Sequence, residues 1–124
     1  MITGCTSGIG LEIAKQLYDI GFNLLLISRN EGKLEKVKKD LHERDSVTDN
    51  KIKTIAIDFQ SSSITEIFDK LDKARAEEGI EEIAFLANNV GIGGAGLYYA
   101  TYINQNWSYH TNPFVLGRLV LPET

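Results

Sequence analysis

Thr3-Gly4-Cys5-Thr6-Ser7-Gly8-Ile9-Gly10 stands between a short apolar lead and a helical pattern. Its glycines are spaced G-x-x-x-G-x-G, which differs from the G-x-G-x-x-G of ordinary dinucleotide folds. Glycine in such a loop lets the backbone turn sharply and come close to a diphosphate, because no Cβ blocks the approach. The following helix is expected to begin near Gly8, so that its free N–H groups and positive dipole end face the anion. Three glycines near a turn are also common in α/β proteins. The loop by itself leaves open a domain whose glycines only make turns.

Working outward, the chain alternates strand and helix, which argues for a parallel sheet with helices on its faces. Met1 to Thr3 reads as a stub of strand one, and Ile13, Ala14 and Leu17 form the apolar stripe of helix one, stopped near Gly21. Asn23 to Ser28 contains Leu24-Leu25-Leu26-Ile27, an unbroken apolar run suited to a strand buried on both sides. Helix two is expected over about Glu31 to Glu43, with Leu34, Val37 and Leu41 on one face and its lysines and glutamates on a solvated one. Asp45 to Asn50 is a polar loop, and Lys51 to Asp58 reads as strand three. Ser63-Ile64-Thr65-Glu66 has the form of a capping box and opens helix three, where Ile64, Ile67, Phe68 and Leu71 recur at helical spacing before Gly79. Ile83 to Asn88 is expected as strand four, Gly91 to Gly96 as a Gly-rich loop, and a further helix from about Asn106 with Pro113 in its first turn.

Composition narrows the function classes. A chain of 124 residues without repeat or linker reads as one domain. The net charge of −4 offers no basic field to attract nucleic acid. The single cysteine, Cys5, excludes an internal disulfide and reads as a small residue filling a tight turn. No apolar run reaches the length of a membrane span, and no signal peptide is visible in these residues. No metal-ligand cluster stands out.

The loop spacing, together with Asn88-Asn89-Val90-Gly91 after an apolar strand, resembles the short-chain dehydrogenase/reductase family. The stretch LLLISRNEGKLEKV from Leu24 to Val37, with Ile57-Asp58-Phe59 and Leu119-Val120-Leu121-Pro122, is similar to its NADP-dependent hydroxysteroid dehydrogenase and 3-oxoacyl-CoA reductase branch. The resemblance implies an α/β, Rossmann-like, doubly wound parallel sheet, truncated here, with strands in the order 3-2-1-4 and flanking helices. It implies a dinucleotide across the carboxyl ends of the strands. Gly4, Gly8 and Gly10 would shape the phosphate loop with Thr6, Ser7 would bond a phosphate or ribose oxygen, and Ile9 would press on the nicotinamide end.

Strand two ends Ile27-Ser28-Arg29, where NAD-specific folds usually carry a carboxylate that would repel a 2′-phosphate. The Arg29 guanidinium can fork onto that phosphate beside Ser28, so NADP(H) is the expected cofactor; an exposed strand-end arginine without a ligand is the alternative. By the resemblance Asp58 would bond the adenine amino group, although an Asp at this point also suits a turn. Asn88 and Asn89 would brace the backbone beside the ribose, and Gly91 would let the cofactor lie close. An Asn pair is otherwise ordinary in a turn.

The family's proton donor is a Tyr with a Lys four residues on. Phe22, Tyr102, Ile103, Asn106 and Pro113 follow the five tyrosines at that distance, so the pair is absent from these residues, as is its serine. Asn112 is the candidate for the family's relay asparagine, and equally an N-cap ahead of Pro113. His110 reads as an ordinary surface or boundary residue. The expected whole is a 1–124 NADP-binding domain, incomplete at both ends. It would come from an oxidoreductase reducing a ketone on a steroid or acyl-CoA-like lipid, with possible homo-oligomers and a cytoplasmic or endoplasmic-reticulum membrane location by family analogy. Two alternatives stay open: a non-catalytic nucleotide-binding module or inactive paralogue, and a structural α/β domain.

Overall fold

A computed structural model describes residues 1–44 and 50–91. Strand and helix alternate as β1 (Ile2–Thr3), α1 (Gly8–Asp19), β2 (Leu24–Ser28), α2 (Glu31–Arg44), β3 (Ile52–Ala56) and α3 (Ile64–Glu78). The strands form a parallel sheet in the order β1-β2-β3. Ile2 pairs with Leu26 and Thr3 with Ile27, while β2 pairs with β3 along its whole length, from Leu24 with Ile52 to Ser28 with Ala56. The chain divides into two compact units, Met1–Asn89 and Val90–Thr124. The sheet and all three helices lie in the first.

The apolar run in β2 has a direct structural consequence: every residue from Leu24 to Ser28 is buried. Leu24 and Leu26 join one core cluster with Ile2, Cys5, Ala14, Tyr18, Leu34, Val37, Leu41 and Ile52. Strand alternation sends Leu25 and Ile27 to the opposite face, where they are buried as well. Helix α1 packs against β1 and β2, α2 against β2, β3 and α1, and α3 against β3. The result is the Rossmann-like α/β arrangement that the strand–helix alternation predicts.

Each helix starts and stops for local reasons. Ser63 Oγ accepts the Glu66 N–H at 3.2 Å and Glu66 Oε2 accepts the Ser63 N–H at 2.8 Å, completing the capping box of α3. Gly79 closes that helix at φ 62°, ψ 36°, a left-handed conformation that costs a residue with a Cβ. Asn30 Oδ1 accepts the Lys33 N–H at 2.9 Å at the head of α2.

Two expectations are corrected. Of the stripe Ile64, Ile67, Phe68 and Leu71, only Ile67 is buried; Ile64 is 63% and Phe68 44% exposed. Helix α3 turns only a narrow strip, Ile67 and Ala74, toward the sheet. The segment 83–88 is not a full strand: it contributes one parallel bridge, Ala87 with Ile2, on the side of β1 away from β2. Hydrogen bonds run from Met1 N to Phe85 O (2.7 Å), Ala87 N to Met1 O (2.9 Å) and Thr3 N to Ala87 O (3.1 Å). Beyond them the Asn89 N–H donates to Thr3 Oγ1 at 3.0 Å, so a side chain replaces the ladder.

The core also explains Cys5. Its thiol is fully buried, 3.7 Å from the Ile27 carbonyl oxygen, and burial raises its pKa from the ordinary 9.0 to about 11. A raised pKa means that folding favours the protonated thiol, so this contribution is complete below pH 9.0 and is lost as the pH climbs through about 11. Chemical denaturation should show stability falling across that window, and Cys5→Ala should flatten the fall; an unchanged slope in the variant would refute the assignment. Ser63→Ala should cost about 1 kcal/mol through loss of the cap. Glu66 sits below its ordinary 4.5, first because the Ser63 N–H donates to it, a bond that Ser63→Ala keeps, so the stability of wild type and variant alike should fall as acid protonates Glu66, and Glu66→Gln should flatten that fall.

Candidate functional site

The loop between β1 and α1 is built from glycines with different tasks. Gly4 (φ 65°) and Gly8 (φ 56°) take left-handed conformations that L-residues with a Cβ rarely adopt. Gly10 has an ordinary φ, and its reason for being glycine is space. A Cβ there would collide with the carbonyl oxygen of Gly4 and with Asn89 Nδ2. Helix α1 therefore comes close to the end of β1 because Gly10 carries no side chain. At Gly8 a Cβ would meet no atom within 4 Å, so that side of the turn is open.

Three contacts tie the loop to the end of β2. The Gly4 N–H donates to Ile27 O at 2.9 Å, the Cys5 thiol lies against the same oxygen, and Thr6 Oγ1 and Ser28 Oγ share a hydrogen bond of 3.3 Å. On the other side Asn89 Nδ2 donates to Thr3 O (3.2 Å) and Gly4 O (3.1 Å). Thr3, buried and β-branched, ends the expected stub of strand one and opens the glycine segment, with no side-chain role expected of it. Its hydroxyl in fact joins Ala87 O and Asn89 N across the sheet. The signal for it was a polar residue directly before the first glycine.

The start of α1 can receive an anion. Ser7 holds the N-cap position in an extended conformation, but its side chain makes no capping bond. The first N–H groups of a helix have no intrahelical acceptor. No acidic residue stands in the first turn to repel a negative charge. These amides point along the helix axis at the carboxyl ends of the strands, with Gly8 open beside them. Ser7 and Ile9 are exposed, Ile9 to 75%.

Arg29 follows β2 directly, is exposed, and makes no ion pair among the described residues. Asp58, just past β3, is half-buried and already builds a turn. Its Oδ1 accepts the Gln60 N–H at 3.0 Å, and its carbonyl accepts the N–H groups of Ser61 and Ser62. The turn role anticipated as an alternative is thus present, and Oδ2 is left for another donor. Asn88 is exposed while Asn89 is bonded inward, so the two asparagines divide between surface and frame. Gly91 belongs to the second unit and is exposed. Asn112 and His110 lie outside the described residues. Among the described residues no group of three His, Cys, Asp or Glu side chains is placed to hold a metal ion, and no helix is long and apolar enough to cross a membrane.

Residues 1–113 match the short chain dehydrogenase family. The chain is 42% identical over 92 residues to very-long-chain 3-oxoacyl-CoA reductase-A of Danio rerio, covering 74% of this chain and 26% of that protein. It is 39% identical over 92 residues to the very-long-chain 3-oxoacyl-CoA reductase of Homo sapiens, covering 74% and 27%. The chain thus spans about a quarter of the length of these relatives. Among solved structures it resembles a metagenomic short-chain oxidoreductase in complex with NADP (TM-score 0.64, 26% identity, 77% of this chain and 39% of that one). It also resembles L-sorbose reductase from Gluconobacter frateurii complexed with NADPH and L-sorbose (TM-score 0.63, 26% identity, 75% and 33%). With the glycine turn, the uncapped helix start and the Asn89 brace in one place, and a family match over residues 1–113, the chain belongs to the short-chain dehydrogenase family and is most like its 3-oxoacyl-CoA reductase branch.

Proposed function

We propose that this chain is the cofactor-binding part of an NADP(H)-dependent oxidoreductase that reduces a ketone on a steroid or acyl-CoA-like lipid. The observation that carries the reading is the turn at Gly8: left-handed, open on its outer side, and set against the uncapped first turn of α1. A diphosphate suits that place because its charge meets amide donors and a helix dipole, with no side chain in the way. The NADP and NADPH complexes of its structural relatives support the choice of ligand. The names of its curated relatives support a 3-oxoacyl-CoA substrate class and with it a lipid-like ketone; a place at the endoplasmic reticulum membrane or in the cytoplasm is proposed from the family resemblance.

In this reading Gly4, Thr6, Gly8 and Gly10 shape the phosphate cradle, Ser7 donates the hydroxyl that makes no capping bond, and exposed Ile9 meets the nicotinamide end. Arg29, exposed and unpaired among the described residues, takes the 2′-phosphate next to Ser28. Asp58 Oδ2 receives the adenine amino group while Oδ1 keeps the turn. Asn89 holds the frame, Asn88 and Gly91 line the ribose side, and Asn112 serves the proton relay. The bound cofactor supplies hydride transfer to a carbonyl carbon. No tyrosine in these 124 residues has a lysine four positions on, so the contribution derived for this chain is binding and orientation.

Fluorescence titration with NADPH and NADH tests the reading. Arg29→Ala should weaken NADPH by roughly 10- to 100-fold, the value of one charge-assisted contact, and leave NADH nearly unchanged. Equal losses for both would overturn the Arg29 role. Gly8→Val should remove binding of both, because valine resists φ 56° and its branches would stand on the open side of the turn. Undiminished affinity in a folded Gly8→Val protein would sink the cradle. Turnover of a 3-oxoacyl-CoA by this chain alone should be undetectable.

A further inference from the structure

Strand β3 forms one edge of the sheet, and among the described residues no strand lies beyond it. Its backbone groups alternate in direction. Lys51 O accepts the Leu24 N–H at 2.8 Å and the Ile57 N–H donates to Ser28 O at 2.9 Å, so the odd-numbered residues face β2. The N–H and C=O groups of Ile52, Thr54 and Ala56 therefore point outward. Such a row is a template for another strand. It is also complementary to itself. A two-fold axis through Thr54 would set Ile52 of each copy opposite Ala56 of the other, antiparallel, over roughly 17 Å of strand. In that pairing the Ile52 N–H of one copy would donate to Ala56 O of the other.

That carbonyl is already taken: Lys70, exposed on α3, donates from Nζ to Ala56 O at 3.2 Å. A second charge reaches the strand from its other face. Lys53 meets Glu78 of α3, whereas the Thr54 hydroxyl donates to Glu35 of α2 at 2.8 Å. The axis at Thr54 would bring two Glu35 carboxylates to one stretch of sheet, where like charges repel. We propose that Lys70 is a guard: its ammonium occupies Ala56 O and, with Glu35, denies the outer edge of β3 to a second copy of this chain. Lysine suits the task because its flexible stem spans the edge while its strongly hydrated charge stays in water. An incoming strand would have to displace that charge or desolvate it. Nothing in the strand itself opposes pairing, since β3 is five residues long and its Ile52 and Ile55 are held in the core. A second copy is favoured over a foreign strand because it carries the matching row at equal length, and symmetry makes each bond twice.

The test follows amide hydrogen exchange and sedimentation of the 124-residue chain from micromolar to near-millimolar concentration. In wild type, exchange at Ile52 and Thr54 should not change with concentration. Lys70→Met and Lys70→Ala should each form a dimer as concentration rises, with exchange at Ile52 and Thr54 slowed at least roughly fivefold and Ile55, which faces β2, changed far less. Lys70→Arg should behave as wild type. So should Lys73→Met, which removes the same charge from a lysine that pairs with Glu77. Concentration-independent exchange in both Lys70 variants would overturn the proposal. A dimer that leaves Ile52 and Thr54 unprotected would overturn it by placing the contact elsewhere, and the same protection in Lys73→Met would overturn it by tracing the effect to net charge. Protection of a monomeric Lys70→Met chain by an acetylated, amidated peptide of residues 51–57, with no dimer at any concentration, would assign the edge to a foreign strand and count against it as well.

Discussion

The structure depends on a close approach between two backbones. The first turn of α1 rests on the carbonyl of Gly4, at the end of β1, and only the missing Cβ of Gly10 permits it. Were the helix held further out, its leading amides would no longer sit at the strand ends, and Gly8 would not open onto the same space. Asn89 makes the approach secure: one amide nitrogen bridges the carbonyls of Thr3 and Gly4 while lying in the position that a Gly10 side chain would fill. A buried backbone carbonyl without a donor is costly, so helix, strand end and Asn89 stabilise one another.

This seam governs the chemistry available to the loop. The amides at the head of α1 supply partial positive charge, and no acid in the first turn opposes it. In a chain with a net charge of −4, attraction for an anion must therefore be local. Arg29 adds a full positive charge just beyond β2, and the bonds from Gly4 and Thr6 to Ile27 and Ser28 hold the loop beside it. Asp58 shows how one side chain can serve two ends, with one oxygen spent on a turn and the other available.

The two ends of the sheet differ in how they are bonded. At the carboxyl end, strands, loop and Asn89 are knit by hydrogen bonds. At the amino end, β1 contributes two paired residues between a five-residue β2 and a segment reduced to a single bridge. The seat of the cradle is thus well braced in the described residues, while apolar and charged side chains together line a groove at the other end.

Much of this was legible in the residues because it is decided locally. Glycine spacing marked the turn, the Leu24–Ile27 run marked a strand buried on both faces, and Ser63 with Glu66 marked a helix start. The family followed from two motifs in the right order. What pattern reading missed was set by contacts distant in sequence. Tyr18, a polar aromatic, is fully buried, and its hydroxyl shares a hydrogen bond of 3.3 Å with Nδ1 of His42, 24 positions away. Ile64 and Phe68 fit a helical stripe but lie outside the strip that α3 turns to the sheet. Thr3 and Asn89 became partners only when residues 86 positions apart were brought edge to edge. The order of elements and the place of the turn were thus determined by the sequence by itself, since φ preference and apolar period act over a few residues. Which glycine serves conformation and which serves space, and which polar groups meet, was decided by tertiary structure, because both depend on atoms that only the fold brings together.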